Sequence, residues 1–255
     1  MRRLLALALL VLPLTACGGN DLTSLDAVAQ AAEKTSNVAG AHFFMSARIG
    51  GGDGTVEFSG PGEIADHGRT LHMKLTMPAE ILGMKGLSGD RVTFEAIGSG
   101  RYFYFRGGPF TQLANGKWVR VSDDDPTFDL GQNDPSQMLE YLRATSKIEE
   151  RGSEQVRGVE TTHYKARVQL DKIADRVSPE AARALRQMTQ RADIKEIPVD
   201  VWIDDDGLVR RLKMNWHPQG LSFVLGVDMF DFGDVEIAVP KPSQTTDLKT
   251  LLGGG

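Results

Sequence analysis

The sequence predicts an α+β chain that is mainly antiparallel β, with about 10–11 strands in one sheet curled into a half-barrel and helices over its concave face. Three observations carry this. Apolar and polar residues alternate with a period of two over most of the 255 residues. Glycine- and Asp/Asn-rich turns separate these runs at hairpin spacing. Only three short stretches switch to a helical period, too few for a βαβ array. A sheet this wide curls rather than lying flat, and its inner face then needs a cover, which the helices supply.

Taken in order, Thr23 or Ser24 can cap a first helix whose Leu25, Val28, Ala29 and Ala32 form one apolar stripe. Phe43, Met45, Ala47 and Ile49 then alternate with Phe44, Ser46 and Arg48 up to the turn Gly50–Gly54. Val56 and Phe58 begin the return strand, which passes an expected bulge at Gly60-Pro61-Gly62 on its way to Ile64. After Asp66-His67-Gly68, the residues Leu71, Met73, Leu75 and Met77 alternate with His72, Lys74 and Thr76 in the clearest strand of the chain. Further strands fall at Arg91–Ile97, Arg101–Phe105 and Lys117–Val121, with reversals at Gly98-Ser99-Gly100 and Asn115-Gly116. Asp134-Pro135 opens a short helix with Met138, Leu139 and Leu142 on one face. Strands at Ile148–Arg151 and Val159–Val168 precede a third helix, Ala181–Arg191. Hairpins finish the chain: Ile197–Ile203, Leu208–Trp216, Leu221–Phe230 and a last edge strand near Val235–Val239, with a loose tail from Lys241.

The N-terminus carries Arg2 and Arg3, an apolar run from Leu4 to Leu12, and then Leu14-Thr15-Ala16-Cys17. A basic head, a short greasy core and small residues before the cut are the grammar of a secretory signal peptide. Ended in Leu-Thr-Ala-Cys, it resembles the bacterial lipobox, in which the cysteine takes a diacylglycerol and becomes the new N-terminus. The expected organisation is a lipoprotein signal peptide at 1–16, a lipidated N-terminus and short tether at 17–22, one half-barrel domain at 23–240 and a flexible tail at 241–255. Cleavage removes two arginines and no acid, so the formal charge moves from −5 to −7. That balance argues against a nucleic-acid partner and against electrostatic adhesion to anionic headgroups. The membrane is held by acyl chains instead, on the extracytoplasmic face of the cell membrane. Cys17 is the sole cysteine, so packing rather than disulfides must hold the fold.

Catalytic equipment is sparse. The five histidines, His42, His67, His72, His163 and His217, show no metal-ligand spacing, and no GxSxG elbow is present. Asp204-Asp205-Asp206-Gly207 lacks the remaining ligand positions of a calcium loop and reads as a hairpin turn between two strands. No metal, no resident cofactor and no enzymatic activity are expected. A triad assembled from distant residues is the one route by which a hydrolase would escape this reading.

The chain is instead rich in soft apolar side chains on strand faces, including Met45, Met73, Met77, Met214 and Met229. The segment Pro78–Leu87 is more apolar than a surface loop should be, and Gly83 and Gly86 suit it to act as a flap. Plain core packing gives the same alternation, and pattern alone places it slightly ahead of cavity lining.

Two stretches then carry a family resemblance: Gly152-x-Glu154-x-Val156-x-Gly158-Val159-x-Thr161-Thr162-His163-Tyr164, and the run Val199-Asp200-Val201-Trp202-Ile203 continued by Asp204-Asp205-Asp206-Gly207-Leu208-Val209-Arg210-Arg211. With the lipobox, the N-terminal helix and the long meander, they resemble the LppX/LprAFG lipoproteins of mycobacteria and related actinobacteria. Those look like the LolA/LolB carriers, half-barrels closed by helices around an apolar cavity. The resemblance implies binding of a lipid or glycolipid and its transfer within the cell envelope. It supplies no headgroup motif, and it moves the alternating faces from dry core towards cavity wall.

On that basis the wall is Leu71, Met73, Leu75, Met77, Val92, Phe94, Tyr164, Val201, Leu212 and Met214. The lid is Ile81, Leu82 and Met84 with Met138, Leu139 and Leu142. Either Tyr102 and Tyr104 present polar tips at the rim or Phe103 and Phe105 are the inward pair; the pattern leaves both open. The identity of the lipid, and a membrane exporter that would load it, are also open. A second role for the same fold is an envelope sensor that binds a regulatory protein and releases it when lipid arrives.

Overall fold

The computed structural model describes residues 21–51, 54–79, 91–123, 145–174, 195–217, 222–251 and, singly, 139, 142, 182, 183, 186, 220 and 253. Helix α1 spans Asp21–Ser36, beginning ahead of the Thr23 or Ser24 cap. Eleven strands follow as two antiparallel meanders, β1–β6 and β7–β11, joined side by side through β1 and β11: β1 Ala41–Gly51, β2 Gly54–Ala65, β3 Thr70–Pro78, β4 Arg91–Ser99, β5 Tyr102–Gly107, β6 Trp118–Ser122, β7 Thr145–Val156, β8 Val159–Gln169, β9 Glu196–Asp204, β10 Val209–Trp216 and β11 Ser222–Phe230. A short helix α2, Pro109–Leu113, joins β5 to β6 where the sequence suggested only a turn. Among the described residues all strands belong to one open sheet, in the order β12-β6-β5-β4-β3-β2-β1-β11-β10-β9-β8-β7, where β12 is Thr245–Asp247.

The register keeps the apolar set on one face. One cross-strand row reads Met229, Phe43, Gly62, Met73, Ala96, Phe105, Val119. A second reads Tyr164, Val201, Leu212, Val227, Met45, Gly60. Because side chains alternate between faces, the intervening residues, such as Arg48, Glu63, Lys74 and Glu95, point outward. The inner face is the one joined by α1: Val28, Ala31 and Ala32 share a buried cluster with Phe43, Ile64, Val201, Val209 and Val227. Leu139, Leu142, Leu170 and Ile173, all helical, enter the same cluster. Most of the two later helices predicted from the sequence lies outside the described residues.

The bulge expected at Gly60-Pro61-Gly62 is absent: β2 stays in unbroken register with β1 through all three residues. The glycines serve close approach instead. A Cβ on Gly60 would sit 1.6 Å from the Lys74 carbonyl oxygen, and one on Gly62 would sit 2.1 Å from the Phe43 ring. Phe43, fully buried, therefore lies across the neighbouring strand at Gly62.

Helix α1 is fastened to the sheet by one residue. The Thr35 hydroxyl, 1% exposed, donates to the Ala31 carbonyl at 2.7 Å and accepts from the Val209 N–H at 2.9 Å. Val209 needs this partner because the β9–β10 register shifts between Val209 and Arg211.

The C-terminal region departs most from expectation. Val235–Val239 is extended but is not a strand. The segment leaves β11 with the Gly233 N–H bonded to the Gly40 carbonyl, and Ile237 packs on the outer face against Ile97, Tyr104 and Trp118. Having crossed from the middle of the sheet to its edge, the chain pairs β12 in parallel with β6. The loose tail predicted from Lys241 is thus a turn of 3₁₀ helix, Pro242–Gln244, then β12, then a helical turn, Leu248–Leu251. Leu248, 5% exposed, and Leu251 pack with Phe105, Val119 and Val121, so the chain has wrapped from the outer face round to the inner one. Asp247 accepts two 2.8 Å hydrogen bonds from Arg120 and fixes this clasp. The sequence reading missed it because a three-residue strand has no visible period.

Two predictions follow from these attachments. Thr35→Val keeps the volume but leaves the Val209 N–H buried without a partner, which should cost about 1–3 kcal/mol in urea unfolding. The Arg120 hydrogen bond, against the opposing effect of burial and helped by its charge and that of Lys249, holds the Asp247 carboxyl below its ordinary range. A carboxylate with a depressed folded value contributes stability above its unfolded value, about pH 3.9, and loses it as pH falls through the lower folded value. Asp247→Asn should therefore cost at most about 1 kcal/mol at neutral pH, because the pair is partly solvated, and should flatten the acid limb of the stability curve.

Candidate functional site

Every described residue nominated as wall is on the inner face, but the residues do not share one environment. Val201 is 0% and Leu212 4% exposed, so both are packed core with no surface left for a ligand. Met73 is likewise buried. Leu71, Leu75, Tyr164 and Met214 are half-buried and pack against the core from its margin. Met77, Val92 and Phe94 are half-buried too, and Phe94 meets the second cluster through Phe110. Leu139 and Leu142 are buried in the main cluster at 3% and 1% exposure. Ile81, Leu82, Met84 and Met138, together with Cys17 and the signal segment, lie outside the described residues.

On β2, β10 and β11 the environments sort by position along the strands, whereas Val168 and Val199 on β8 and β9, with Leu170 beyond them, are buried at the end away from α1. At the end where α1 meets the β9–β10 turn, Phe43, Ile64, Val209, Val227 and Met229 close the inner face. Towards the β1–β2 hairpin the same face holds Phe58, Leu75, Met77, Val92, Met214, Trp216, Phe223 and Leu225, all half-buried, and ends at Ile49, which is 40% exposed. At that end Leu170 and Ile173 join the main buried cluster, and Phe110 packs on Phe94 and Phe105. Among the described residues, the inner face is thus an apolar trough that is filled at the α1 end and only half-buried towards the β1–β2 hairpin. The sequence pattern placed these residues on one face; it could not show that the filling stops part-way, because that depends on where α1 runs.

Phe103 and Phe105 are the inward pair of β5. Tyr102 is exposed on the outer face, and Tyr104 is buried there beneath Ile237. Among the described residues Tyr164 is therefore the phenol that reaches the inner face. Burial, with the nearby charge of Glu150, pushes its hydroxyl above its usual range, so it stays neutral and remains a hydrogen-bond donor at physiological pH.

Among the described residues a pocket of about 400 Å³ opens at the closed end of the trough, between α1 and the β9–β10 turn. Gln30, Ala31 and Lys34 line one side, and Tyr164, Ile203 and the turn 204–207 the other. Lys34 donates its ammonium to the Asp206 carbonyl. Asp204 is used up within the turn, accepting from the Leu208 N–H at 2.8 Å and from Arg210 at 2.5 Å, as a hairpin turn requires.

The outer face is polar and laced with ion pairs. His163 sits between Asp200, at 2.8 Å, and Glu154, at 3.1 Å, and stacks on Trp202 with 4.3 Å between ring centroids. The Trp202 indole N–H bonds the other Glu154 oxygen, and this with the His163 and Arg211 charges holds the Glu154 carboxyl below its usual range despite some desolvation. Burial raises the Glu95 carboxyl, but the hydrogen bond and charge of Arg106 and the charge of Lys74 outweigh it and keep the group ionised. No nucleophile approaches His163 within these contacts, and the cluster serves to lock β7, β8 and β9 together.

No protein-family model matches the chain. The uncharacterized 31.2 kDa protein of the rplA–rplJ intergenic region of Streptomyces griseus is 28% identical over 189 residues, covering 68% of this chain and 62% of that protein. This chain therefore spans a little under two thirds of that relative's length. Among solved structures, LprF from Mycobacterium bovis superposes with a TM-score of 0.51 at 11% identity, covering 86% of this chain and 97% of that one. The lipoprotein LppX of Mycobacterium tuberculosis gives 0.51 at 14% identity, covering 86% of this chain and all of that one. At such identities the likeness is one of fold, and the open, curled antiparallel sheet of this chain is that of the LppX/LprF-like lipoproteins.

Proposed function

We propose that this chain is a lipid-anchored lipoprotein of the cell envelope that holds the hydrocarbon of a lipid or glycolipid in its trough and carries it between membranes. The single observation behind this reading is the gradient along the inner face. Phe43 and Val201 are fully buried at one end, whereas Leu75, Met77, Val92, Phe94 and Met214 keep accessible apolar surface at the other. A half-barrel that only stabilised itself would cover these residues too, since exposed contiguous apolar surface costs about 25 cal/mol per Å².

The physical action is simple. An acyl chain laid along the open half of the trough removes both its own surface and the protein's from water. Methionine suits this use, because its flexible thioether moulds to an irregular guest. Nothing in the process requires a bond to be made or broken. Release needs only a lower-energy place for the hydrocarbon, such as a second bilayer. The sequence grammar around Cys17 supplies the tether, so the carrier works close to a membrane surface. It would act on the extracytoplasmic side, after export and removal of residues 1–16.

Native mass spectrometry of the protein purified without detergent from its own host tests this reading. Co-purifying lipid in near-stoichiometric amount is expected, and its mass would identify the cargo. Leu75→Asp and Met77→Asp each place a carboxylate in the apolar trough, at a cost of several kcal/mol to any bound hydrocarbon. Both variants should lose at least about tenfold in occupancy while their circular dichroism stays native. Full occupancy in both would refute the assignment of the open half as the binding wall.

A further inference from the structure

The net charge of the chain is −5, yet that charge is not spread evenly. At the closed end of the strands Asp205 and Asp206 sit in the β9–β10 turn, and Asp231 and Asp234 follow β11. Towards the open end the described outer-face charges on the strands are Arg48, Arg91, Lys147 and Arg167, against Glu57 and Glu196. Arg48 is neutralised by Glu57 at 2.5 Å. Arg91 spends its guanidinium on the backbone carbonyls of Thr76 and Glu57, which leaves its charge uncancelled by these contacts. Lys147 is exposed.

Two of the exposed large apolar residues belong to the same end: Ile49 at 40% and Leu113 at 42%. Ile49 carries the last inward side chain of β1 before the hairpin. Leu113 ends α2, which leaves β5 at the level where Gly107 pairs with Phe94. The Trp216 and Phe223 rings lie beside the Ile49 row, 6.2 Å apart and edge to face. A rim of large aliphatic side chains and an indole backed by cationic groups is the composition that settles at the headgroup level of a bilayer.

We propose that the open end of the trough docks directly on an anionic phospholipid surface, with Ile49 and Leu113 entering the interface and Arg91 and Lys147 meeting the headgroups. The acidic end then faces away from the membrane, so charge orients the mouth before apolar contact is made. Docking places the open half of the inner face against the acyl region, and hydrocarbon passes from bilayer to trough without crossing water. This rests on the reading of the trough as a hydrocarbon site.

The test uses the full chain with Cys17→Ser, so that no acyl anchor forms and a single introduced cysteine can carry an environment-sensitive fluorophore. Ile49→Cys reports on the open end and Asp205→Cys on the closed end. With phosphatidylglycerol-containing vesicles the label at position 49 should shift to the blue and brighten at least roughly twofold, while that at 205 stays in water. Added salt, or vesicles of phosphatidylcholine alone, should reduce the response. Equal responses at both positions, or none at 49, would overturn the docking geometry. Binding of a fluorescent fatty acid by the same proteins without vesicles separates the two ideas. If the fatty acid binds and position 49 remains in water, docking alone fails. If it does not bind, the trough reading fails, whatever the label reports.

Discussion

A one-residue slip between any two strands would turn the inner surface of this sheet outward, so everything else depends on register. The contact that pins it at the centre is Phe43 lying across Gly62. A ring fits there only because the neighbouring strand has no side chain at that position, and sliding β2 by one residue would put Pro61 or Glu63 beneath the ring. Gly60 adds a second constraint, since its Cα lies too close to the Lys74 carbonyl for any other residue. These two glycines let β1, β2 and β3 pack tightly enough for the sheet to curl, and the curl makes a trough out of a plane.

Most of the sheet was legible because alternation is a local signal. Leu71 to Met77 could be assigned to one face from spacing alone, and the turns at Asp66–Gly68 and Asn115–Gly116 adopt the positive φ their residues favour. What was not legible depends on contacts between distant residues. Val201 and Leu212 have the same pattern as Leu75 and Met214, but α1 covers the first pair and leaves the second at the margin. Tyr102 and Tyr104 alternate with Phe103 and Phe105, and only pairing with β6 decides which pair turns inward. The Gly-Pro-Gly sequence invited a bulge, and the demand of Phe43 for space overrode that local preference.

The polar and apolar halves of the molecule have a division of labour. Ion pairs such as Arg211–Asp228 and the His163 cluster stay on the outer face, where they fix strand order without burying charge in the core. Among the described residues the inner face carries few hydrogen-bonding side chains, among them Glu150, Thr162, Tyr164 and Trp216. A surface of that kind recognises chain length and flexibility better than it recognises a headgroup. Selectivity for one lipid over another would then come from the ends of the trough rather than from its walls.

The parallel pairing of β12 with β6 has a consequence for biogenesis. The strand at that edge is complete once Ser122 has been made, but its partner is more than a hundred residues further along the chain. Until that partner arrives, β6 presents unpaired backbone groups to whatever strand it meets. A polypeptide threading out through a membrane channel would thus carry an open seam for much of its emergence, sealed only by its closing residues. Any lesion that cuts or delays those residues would favour chain-to-chain association through that seam, even with the core sequence intact.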